Sequence, residues 1–423
     1  MKLNYLLKLT ILYSFMIFLN HSIIAQNAKV QLGIEVLAKS NFEILKGKKV
    51  GLITNASGVD SQLNSTIDIL NSAKGFELVA LFGPEHGIRG DVEGGDNISD
   101  YTDKTTGLPV YSLYGKNRKP PTDILDKIDI LIYDIQDIGC RSYTFISSLG
   151  KVMEAAAENN KQVIVLDRPN PLGGNKVEGS IVEEGFFSFI SQFPIPYVYG
   201  LTVGELANMI NNEGMLENKL KCSLIVVKME GWKRNFSFED TGLNWVPTSP
   251  HVPHKDSPAF YVMSGIVGEL RDVISIGVGY TLPFQTFAYK GVDGIELANR
   301  LNNLNLSGII FMPISYKPYY AFAKGEQISG VETFITDFDK IELMKTQLYV
   351  LQELNLMYPN FKILDKSAAN HLRAFDKAMG TDKIRIDFSK NYSVADVEKY
   401  LDKDIEAFKL LSKKYYLYEW VNH

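Results

Sequence analysis

The chain has 423 residues, which is more than one ordinary hydrophobic core accommodates, so we expect two domains. Its content of 45% hydrophobic and 22% charged residues is that of a globular protein and excludes a disordered or fibrous chain. The formal net charge is −5 and no basic block stands out, which argues against nucleic acid as a partner.

The first residues predict an export signal. Lys2 and Lys8 accompany the apolar run LTILYSFMIFL, and Ala25 provides a small residue at a plausible cleavage point. A membrane anchor is the alternative, but the apolar run is shorter than the roughly 20 residues that a spanning helix needs. We therefore predict that residues 1–25 are a cleaved signal peptide, that the protein is periplasmic or secreted, and that no membrane span remains after cleavage.

Five short apolar runs then alternate with segments of helical spacing. The runs are KKVGLIT, FELVALF, IDILIYD, KQVIVLD and CSLIVVK. They are apolar at consecutive positions, which is typical of strands buried on both faces of a parallel sheet. Strands that alternate with helices predict a doubly wound, mostly parallel α/β domain, which we place at residues 26–260.

A second pattern follows the Pro-rich run WVPTSPHVPHKDSP. Mixed strand and helix segments predict a smaller α+β domain over residues 261–423, with helices at about Ile341–Met357 and Val394–Tyr416. His251 and His254 lie close together without clustered carboxylates, so no metal site is predicted. The two cysteines are distant in sequence, and buried free thiols are preferred over a disulfide.

Four of the predicted strands end in polar loops, namely NASGVD, GPEHGIRGD, IQDIGCRSYTF and RPNPLGG. Ligands of open α/β sheets bind at the carboxyl ends of the strands, so we expect a site where these loops converge. Asn55 in the first loop and Arg89 in the second are candidate substrate-binding residues.

The loop GPEHGIRGD carries the main catalytic candidates. Glu85 follows Gly83 and Pro84 at the end of a buried strand, where partial desolvation suits a general acid. His86 would assist by donating to Glu85 or by orienting a substrate. The alternative is that Glu85 caps the next helix and that His86 is a turn residue.

The loop YDIQDIGCRSYT concentrates donors and acceptors that suit a polyhydroxylated or carboxylated ligand. The alternative is an Asp–Arg pair that only holds the loop. The candidates in this loop are Asp134, Gln136, Asp137, Arg141 and Tyr143.

The run DRPNP adds Asp167, Arg168 and Asn170, for which a structural Asp–Arg clamp is an equally direct interpretation. No GxGxxG follows the first strand and no GxxxxGK[ST] occurs, so no nucleotide cofactor is predicted. No GxSxG elbow occurs, which argues against a serine hydrolase.

Several motifs together resemble one bacterial family. They are GPEHGIRGD, TGLPVYSLYG, YDIQDIGCRSYT, VLDRPNPLGG, TVGELA and the GW and WVPTSP runs. The family was catalogued as a domain of unknown function, and its characterised members are exo-β-N-acetylmuramidases. These enzymes remove N-acetylmuramic acid from the non-reducing end of peptidoglycan glycans. The resemblance covers most of the chain after residue 25.

The resemblance implies a Rossmann-like N-terminal domain, a smaller C-terminal domain and a substrate cleft between them. It implies that Glu85 is the leading catalytic candidate, with His86 in support and Asp134, Asp137, Asp91 or Glu93 as the second carboxylate. Arg141 or Arg168 would suit the lactyl carboxylate of muramic acid. The substrate-binding residues are then Asn55, Arg89, Gln136, Asp137, Arg141, Tyr143, Arg168 and Asn170.

The chain departs from the family pattern at three places. It reads SPHVPH where many relatives have SPNMPT, and Tyr199–Thr202 stands where relatives often have HGMT. The run Gly268–Gln285 lacks the charged residues of its family counterpart. The expected function is an exported exo-acting glycosidase of cell-wall recycling, acting on peptidoglycan-derived glycan or muropeptide. The alternatives are a catalytically silent wall-glycan-binding protein and a glycosidase of different sugar specificity.

Overall fold

The structure is a computed structural model, and it describes residues 30–85, 87–90, 100–115 and 117–419. The predicted signal peptide, His86, Asp91 and Glu93 lie outside the described residues. Within the described ranges, no helix has the length and apolar character needed to cross a bilayer.

The N-terminal part is built on a seven-stranded sheet with strand order β3-β4-β2-β1-β5-β6-β7. All neighbouring strands are parallel except β3 and β4. Without β3, the order is that of a doubly wound Rossmann-like sheet, which confirms the predicted fold class. The strands are β1 (Lys49–Thr54), β2 (Glu77–Gly83), β3 (Tyr101–Thr102), β4 (Pro109–Ser112), β5 (Ile130–Asp134), β6 (Gln162–Leu166) and β7 (Ser223–Val227).

Helices cover both faces of this sheet, which explains the unbroken apolar runs. Leu131 and Tyr133 of β5 belong to one apolar cluster, and Ile130 and Ile132 belong to the cluster on the opposite face. Helices α4 and α5 pack in the first cluster, and α1 and α2 pack in the second. The helices are α1 (Gly33–Lys39), α2 (Thr66–Ser72), α3 (Thr122–Leu125), α4 (Phe145–Glu158) and α5 (Val203–Asn212).

The second part is a smaller α+β unit, as predicted. Its antiparallel sheet has the order β8-β10-β9, with β8 (Thr286–Tyr289), β9 (Ile309–Tyr316) and β10 (Ile328–Ile335). The helices are α6 (Ser257–Ser264), α7 (Gly294–Asn303), α8 (Leu343–Met357), α9 (Ile363–Lys366), α10 (Ala369–Met379), α11 (Lys383–Asn391), α12 (Glu398–Leu401) and α13 (Ile405–Ser412).

The two C-terminal helix predictions had different outcomes. Helix α8 matches the first prediction to within two residues. The long helix predicted at Val394–Tyr416 is wrong, because the segment is broken into short pieces. Asp404 has a left-handed backbone with φ +67°, a conformation that an α-helix cannot contain.

Candidate active site

The polar loops meet at the carboxyl edge of the parallel strands. Asn55 follows β1, Glu85 follows β2, Gln136 and Asp137 follow β5, and Arg168 follows β6. The edge includes the point between β1 and β5 where the strand order reverses, which is the usual ligand position in this fold. The convergence of loops expected from the sequence is therefore present.

Glu85 lies half-buried on the loop that follows β2. The hydroxyl of Tyr114 donates to its carboxylate, and burial together with this bond raises the pKa of Tyr114. Burial raises the pKa of Tyr143, and the charges of Asp137 and Glu85 raise it to a smaller extent. Glu85 therefore combines partial access with a hydrogen bond from Tyr114 and an electrostatic interaction with Tyr143. Sequence analysis missed Tyr114, although it stands within the motif TGLPVYSLYG.

Arg89 anchors the loop that carries Glu85. Its Nε donates to Asp103 Oδ1 at 2.9 Å, its Nη2 donates to Asp103 Oδ2 at 3.0 Å, and a further bond reaches Asp68 Oδ1 at 3.2 Å. The guanidinium lowers the pKa of Asp103 to about 2. These contacts hold the loop in place, and the direct contact of Arg89 with a substrate stays a prediction.

Asp134 and Arg168 form a buried ion pair. Arg168 donates from Nε to Oδ1 at 2.5 Å and from Nη2 to Oδ2 at 2.9 Å, and Thr66 donates to Oδ2 at 2.5 Å. Arg168 also donates to the carbonyl of Val59 at 2.8 Å. An Asp–Arg pair is therefore present, but it joins the end of β5 to the loop after β6 and is not a pair within one loop, as the sequence suggested. The catalytic role of Asp134 and the ligand role of Arg168 stay predictions.

Arg141 is fully buried and is held by backbone carbonyls. It donates to the carbonyls of Ser180, Ile195 and Ala378 at 2.6–2.8 Å and to Ser191 Oγ at 3.2 Å. Burial lowers the pKa of its guanidinium to about 10. Because Ala378 lies on α10, these contacts connect the two parts of the chain. The role of Arg141 in ligand binding stays a prediction.

Asp137 is the buried carboxylate with an unused oxygen. Its Oδ2 accepts hydrogen bonds from the hydroxyl of Tyr199 and from the Gly139 amide, whereas Oδ1 has no hydrogen-bond partner among the described residues. Burial raises its pKa to about 6. Asp137 therefore changes protonation near neutral pH, as a catalytic acid or base would.

The neutral polar candidates, Asn55, Gln136 and Asn170, form hydrogen bonds within and between the loops. Asn55 accepts from the amide and hydroxyl of Ser57 at 2.9 and 2.5 Å. Gln136 donates to the carbonyls of Asp137 and Pro169, both at 2.7 Å, and Asn170 donates to that of Leu201 at 2.9 Å. These side chains are buried, so their contacts shape the loops, and their contact with a substrate stays a prediction.

A segment from the Pro-rich run closes over this edge. Thr248 accepts from Asn55 Nδ2 at 3.4 Å through its carbonyl, and its hydroxyl bonds that of Tyr143 at 2.7 Å. A small cavity of about 20 Å³, roughly the size of one water molecule, is lined by Ser57, Gln136 and Arg168 together with Phe238 and Trp245. Sequence analysis missed Thr248, although WVPTSP carries it.

Asp167 is fully buried, and its carboxylate connects segments that are distant in sequence. It accepts from Thr202 Oγ1 at 2.7 Å, from the Gly204 amide at 2.8 Å and from the Tyr418 hydroxyl at 2.5 Å. Burial raises its pKa to about 7.

Across the described residues, no three His, Cys, Asp or Glu side chains gather as a metal site would require.

A sequence model of the N-terminal region of the exo-β-N-acetylmuramidase NamZ matches residues 50–256, and a model of the C-terminal region matches residues 259–418. The chain belongs to the NamZ family. It is 41% identical over 395 residues to the peptidoglycan β-N-acetylmuramidase NamZ of Bacillus subtilis (strain 168), covering 93% of this chain and 92% of that protein. This NamZ-family chain is therefore a glycosidase.

Two solved structures of DUF1343 family proteins from Bacteroides fragilis NCTC 9343 share the fold. The first is 54% identical with a TM-score of 0.88, covering 92% of this chain and 99% of that one. The second is 27% identical with a TM-score of 0.72, covering 93% of this chain and 100% of that one.

The segments that depart from the NamZ-family pattern reach the same edge. Tyr199 donates to Asp137, so the Tyr199–Thr202 run contributes directly to the candidate site. Phe284, in the run Gly268–Gln285, packs edge-on against Tyr261 at 4.9 Å, and Tyr261 packs against Tyr143 at 5.6 Å. The changed segments therefore reach the candidate site through Asp137 and, by way of Tyr261, through Tyr143.

Proposed function

We propose that the chain is an exported, exo-acting glycoside hydrolase with Glu85 as its general acid. It removes N-acetylmuramic acid from the non-reducing end of peptidoglycan glycan fragments. The observation that carries the proposal is the environment of Glu85: it is half-buried at the carboxyl edge, beside Tyr114 and Tyr143. The 41% identity with a peptidoglycan β-N-acetylmuramidase supports the same reaction.

Cleavage of a glycosidic bond requires an acid that protonates the leaving oxygen and usually a second carboxylate. Glu85 would supply the proton. Asp137 is our choice for the second group, because its Oδ1 has no partner among the described residues, while both oxygens of Asp134 accept hydrogen bonds from Arg168 and Thr66. Tyr199 would orient Asp137 through the bond to Oδ2.

The lactyl carboxylate of muramic acid calls for a cation. Arg168 is favoured over Arg141, since Arg168 lines the cavity beside Gln136 whereas Arg141 is enclosed by backbone carbonyls. Arg168 would keep its bonds to Asp134 and present the outer edge of the guanidinium to the ligand. Its planar, bidentate geometry suits a carboxylate better than lysine would.

The localisation proposal rests on the N-terminal sequence. Lys2 and Lys8, the apolar run and Ala25 have the order of a cleaved signal, which would deliver the enzyme to the compartment of the cell wall. Mass spectrometry of the protein from its envelope or medium should find an N-terminus after residue 25. An N-terminus at Met1 would contradict export by this signal.

A substrate comparison tests the reaction. Purified protein should release the chromophore from a chromogenic β-N-acetylmuramide but not from the matched β-N-acetylglucosaminide, which lacks the lactyl group. Preferred turnover of the glucosaminide would show a different sugar specificity. Binding of wall fragments without turnover of either glycoside would identify a silent binding protein, which the altered Gly268–Gln285 run makes the second candidate.

A further inference from the structure

Outside the candidate active site, a group of tyrosines forms an exposed aromatic surface. We call Tyr280, Tyr316, Tyr319 and Tyr320 the tyrosine platform. The ring of Tyr280 stacks on those of Tyr316 and Tyr319, with centroids 4.4 and 6.0 Å apart. Tyr319 is 65% exposed and Tyr320 is 48% exposed. Large aromatic side chains are seldom left so accessible in a cluster without a binding role.

The tyrosine platform is held in a defined shape. The buried hydroxyl of Tyr316 bonds Ser275 Oγ at 2.9 Å and Thr286 Oγ1 at 2.8 Å. The amide of Tyr319 donates to the carbonyl of Gly279 at 2.7 Å. A Cβ at Gly279 would lie 2.1 Å from the carbonyl oxygen of Tyr320, so only glycine permits this approach. A surface fixed in this way needs little ordering when a ligand binds.

The platform lies beside the mouth of the candidate active site. The Tyr320 hydroxyl and His251 Nε2 are 2.6 Å apart and hydrogen-bonded. His251 comes three residues after Thr248, whose hydroxyl bonds that of Tyr143, a candidate site residue. Three residues span at most about 10 Å, so the segment Thr248–His251 joins the candidate site to the platform over a short distance.

The chemistry of the platform suits sugar rings. A pyranose presents C–H groups on its faces and hydroxyls at its edge, and tyrosine matches this with an apolar face and a polar rim. An exo-acting enzyme holds only the terminal sugar at the scissile bond, so the remaining strand must leave past the mouth of the site. The segment Thr248–His251 places the platform within reach of a strand that leaves in this direction.

We propose that the tyrosine platform is a glycan-binding subsite for the sugars on the leaving-group side of the scissile bond. The inference rests on the proposed function and extends it from the terminal sugar to the strand behind it. Tyr319 and Tyr320 would stack on these sugars, and Tyr280 would support Tyr319 from behind. The enzyme would therefore bind a glycan strand more tightly than a single glycoside.

The test compares two substrates, a chromogenic β-N-acetylmuramide and a tetrasaccharide of alternating N-acetylmuramic acid and N-acetylglucosamine. The variant Y319A/Y320A should raise KM for the tetrasaccharide about tenfold, which corresponds to ~1.4 kcal/mol of lost binding. Its kcat and its kinetics on the chromogenic glycoside should match those of the wild type. Equal kinetics of variant and wild type on the tetrasaccharide would overturn the proposal, as would an equal loss on both substrates.

Two controls accompany this comparison. Phe187 is also an exposed aromatic residue, and F187A should leave both substrates unaffected. Y319F keeps the ring face and should keep the wild-type KM, whereas Y319A alone should raise it. Thermal unfolding should show that all variants are folded, since the altered rings are exposed.

Failure of the proposed function can be distinguished from failure of the proposed subsite. If the wild type turns over neither substrate, calorimetric binding of the same tetrasaccharide tests the platform directly. Weaker binding by Y319A/Y320A than by the wild type and F187A would support the subsite. Equal binding by the three proteins would reject it.

Discussion

At the residue scale, the acids at the carboxyl edge differ through their surroundings. Glu85 is half-buried beside tyrosines, and Asp134 is paired with Arg168. Asp137 is buried, and its Oδ1 has no hydrogen-bond partner in the part of the chain that the structure describes. The three carboxyl groups therefore suit different roles. Glu85 is accessible to a substrate, Asp134 holds two segments together, and Asp137 exchanges a proton near neutral pH.

Replacement of Glu85 by glutamine tests the acid assignment. E85Q keeps the shape but cannot donate a proton, so kcat on the chromogenic muramide should fall by about 10²–10⁴. Glu77, at the exposed start of the strand that precedes Glu85 (β2), provides the matched control, and E77Q should retain wild-type activity. Activity of E85Q within about tenfold of the wild type would show that another group is the acid.

The raised pKa of Asp137 predicts a dependence of stability on pH. The carboxyl has a pKa of about 6 in the folded protein and an ordinary value of 3.8, so the folded state binds its proton more tightly. This contribution is complete below about pH 4 and is lost as the pH rises through 6. At about 1.4 kcal/mol per unit, it amounts to roughly 3 kcal/mol.

Urea unfolding of the wild type and D137N between pH 4 and pH 8 measures this contribution. The free energy of unfolding of the wild type should fall relative to that of D137N across the interval from about pH 4 to pH 6. A constant difference between the two proteins would mean that Asp137 titrates normally. D137N should also lose activity on the muramide if Asp137 is the second carboxylate.

At the element scale, the last described segment, Tyr416–Glu419, returns to the N-terminal part. Leu417 donates from its amide to Glu205 Oε1 at 2.9 Å. Tyr418 donates to Asp167, accepts from the Met229 amide at 2.9 Å, and packs edge-on against Trp232. We call the segment Tyr416–Glu419 the strap. Its contacts stabilise the N-terminal part around Asp167, Glu205 and Met229.

Removal of the Tyr418 hydroxyl measures how much the strap contributes to stability. Y418F keeps the ring but leaves the Met229 amide without its partner and removes one of the hydrogen bonds that Asp167 accepts, so stability should fall by about 1–3 kcal/mol. Tyr415, whose hydroxyl bonds the partly exposed Glu213, is the matched control, and Y415F should change stability by less. Equal urea midpoints for Y418F and Y415F would contradict this role for the strap.

At the scale of the whole molecule, one apolar cluster runs from the parallel sheet into the C-terminal helices. Arg141 strengthens this connection, because its guanidinium bonds carbonyls of both parts, including Ala378 on α10. Ser180 and Ser191 add bonds from the N-terminal part to the carbonyls of Met379 and Lys377. We therefore expect the two parts to unfold together.

Replacement of Arg141 by lysine tests this coupling. Lysine cannot reproduce the fork of donors, so R141K should leave buried carbonyls unpaired and lower stability by about 3 kcal/mol or more. Arg118 is exposed and stacks over Phe189, so R118K is the control and should unfold close to the wild type. Wild-type stability of R141K in urea would show that these bonds contribute little.

The sequence by itself determined five of the seven strands of the parallel sheet, the loops at their carboxyl ends and the family. Consecutive apolar residues require burial on both faces, so β1, β2, β5 and β6 are readable from local pattern. Because parallel strands all end at one edge, the polar loops and Glu85 could be assigned to one site in advance. The motifs of those loops carried the family resemblance.

Only the tertiary structure decided which side chains meet. Sequence proximity suggested pairing within a loop, yet Asp134 pairs with Arg168 at the end of the neighbouring strand, and Arg141 bonds backbone carbonyls of both parts, including that of Ala378. Tyr114, Tyr199 and Thr248 enter the site from other parts of the chain. Spacing along the chain specifies periodicity, but the contacts across loops follow from strand order and domain packing, which join residues far apart in sequence.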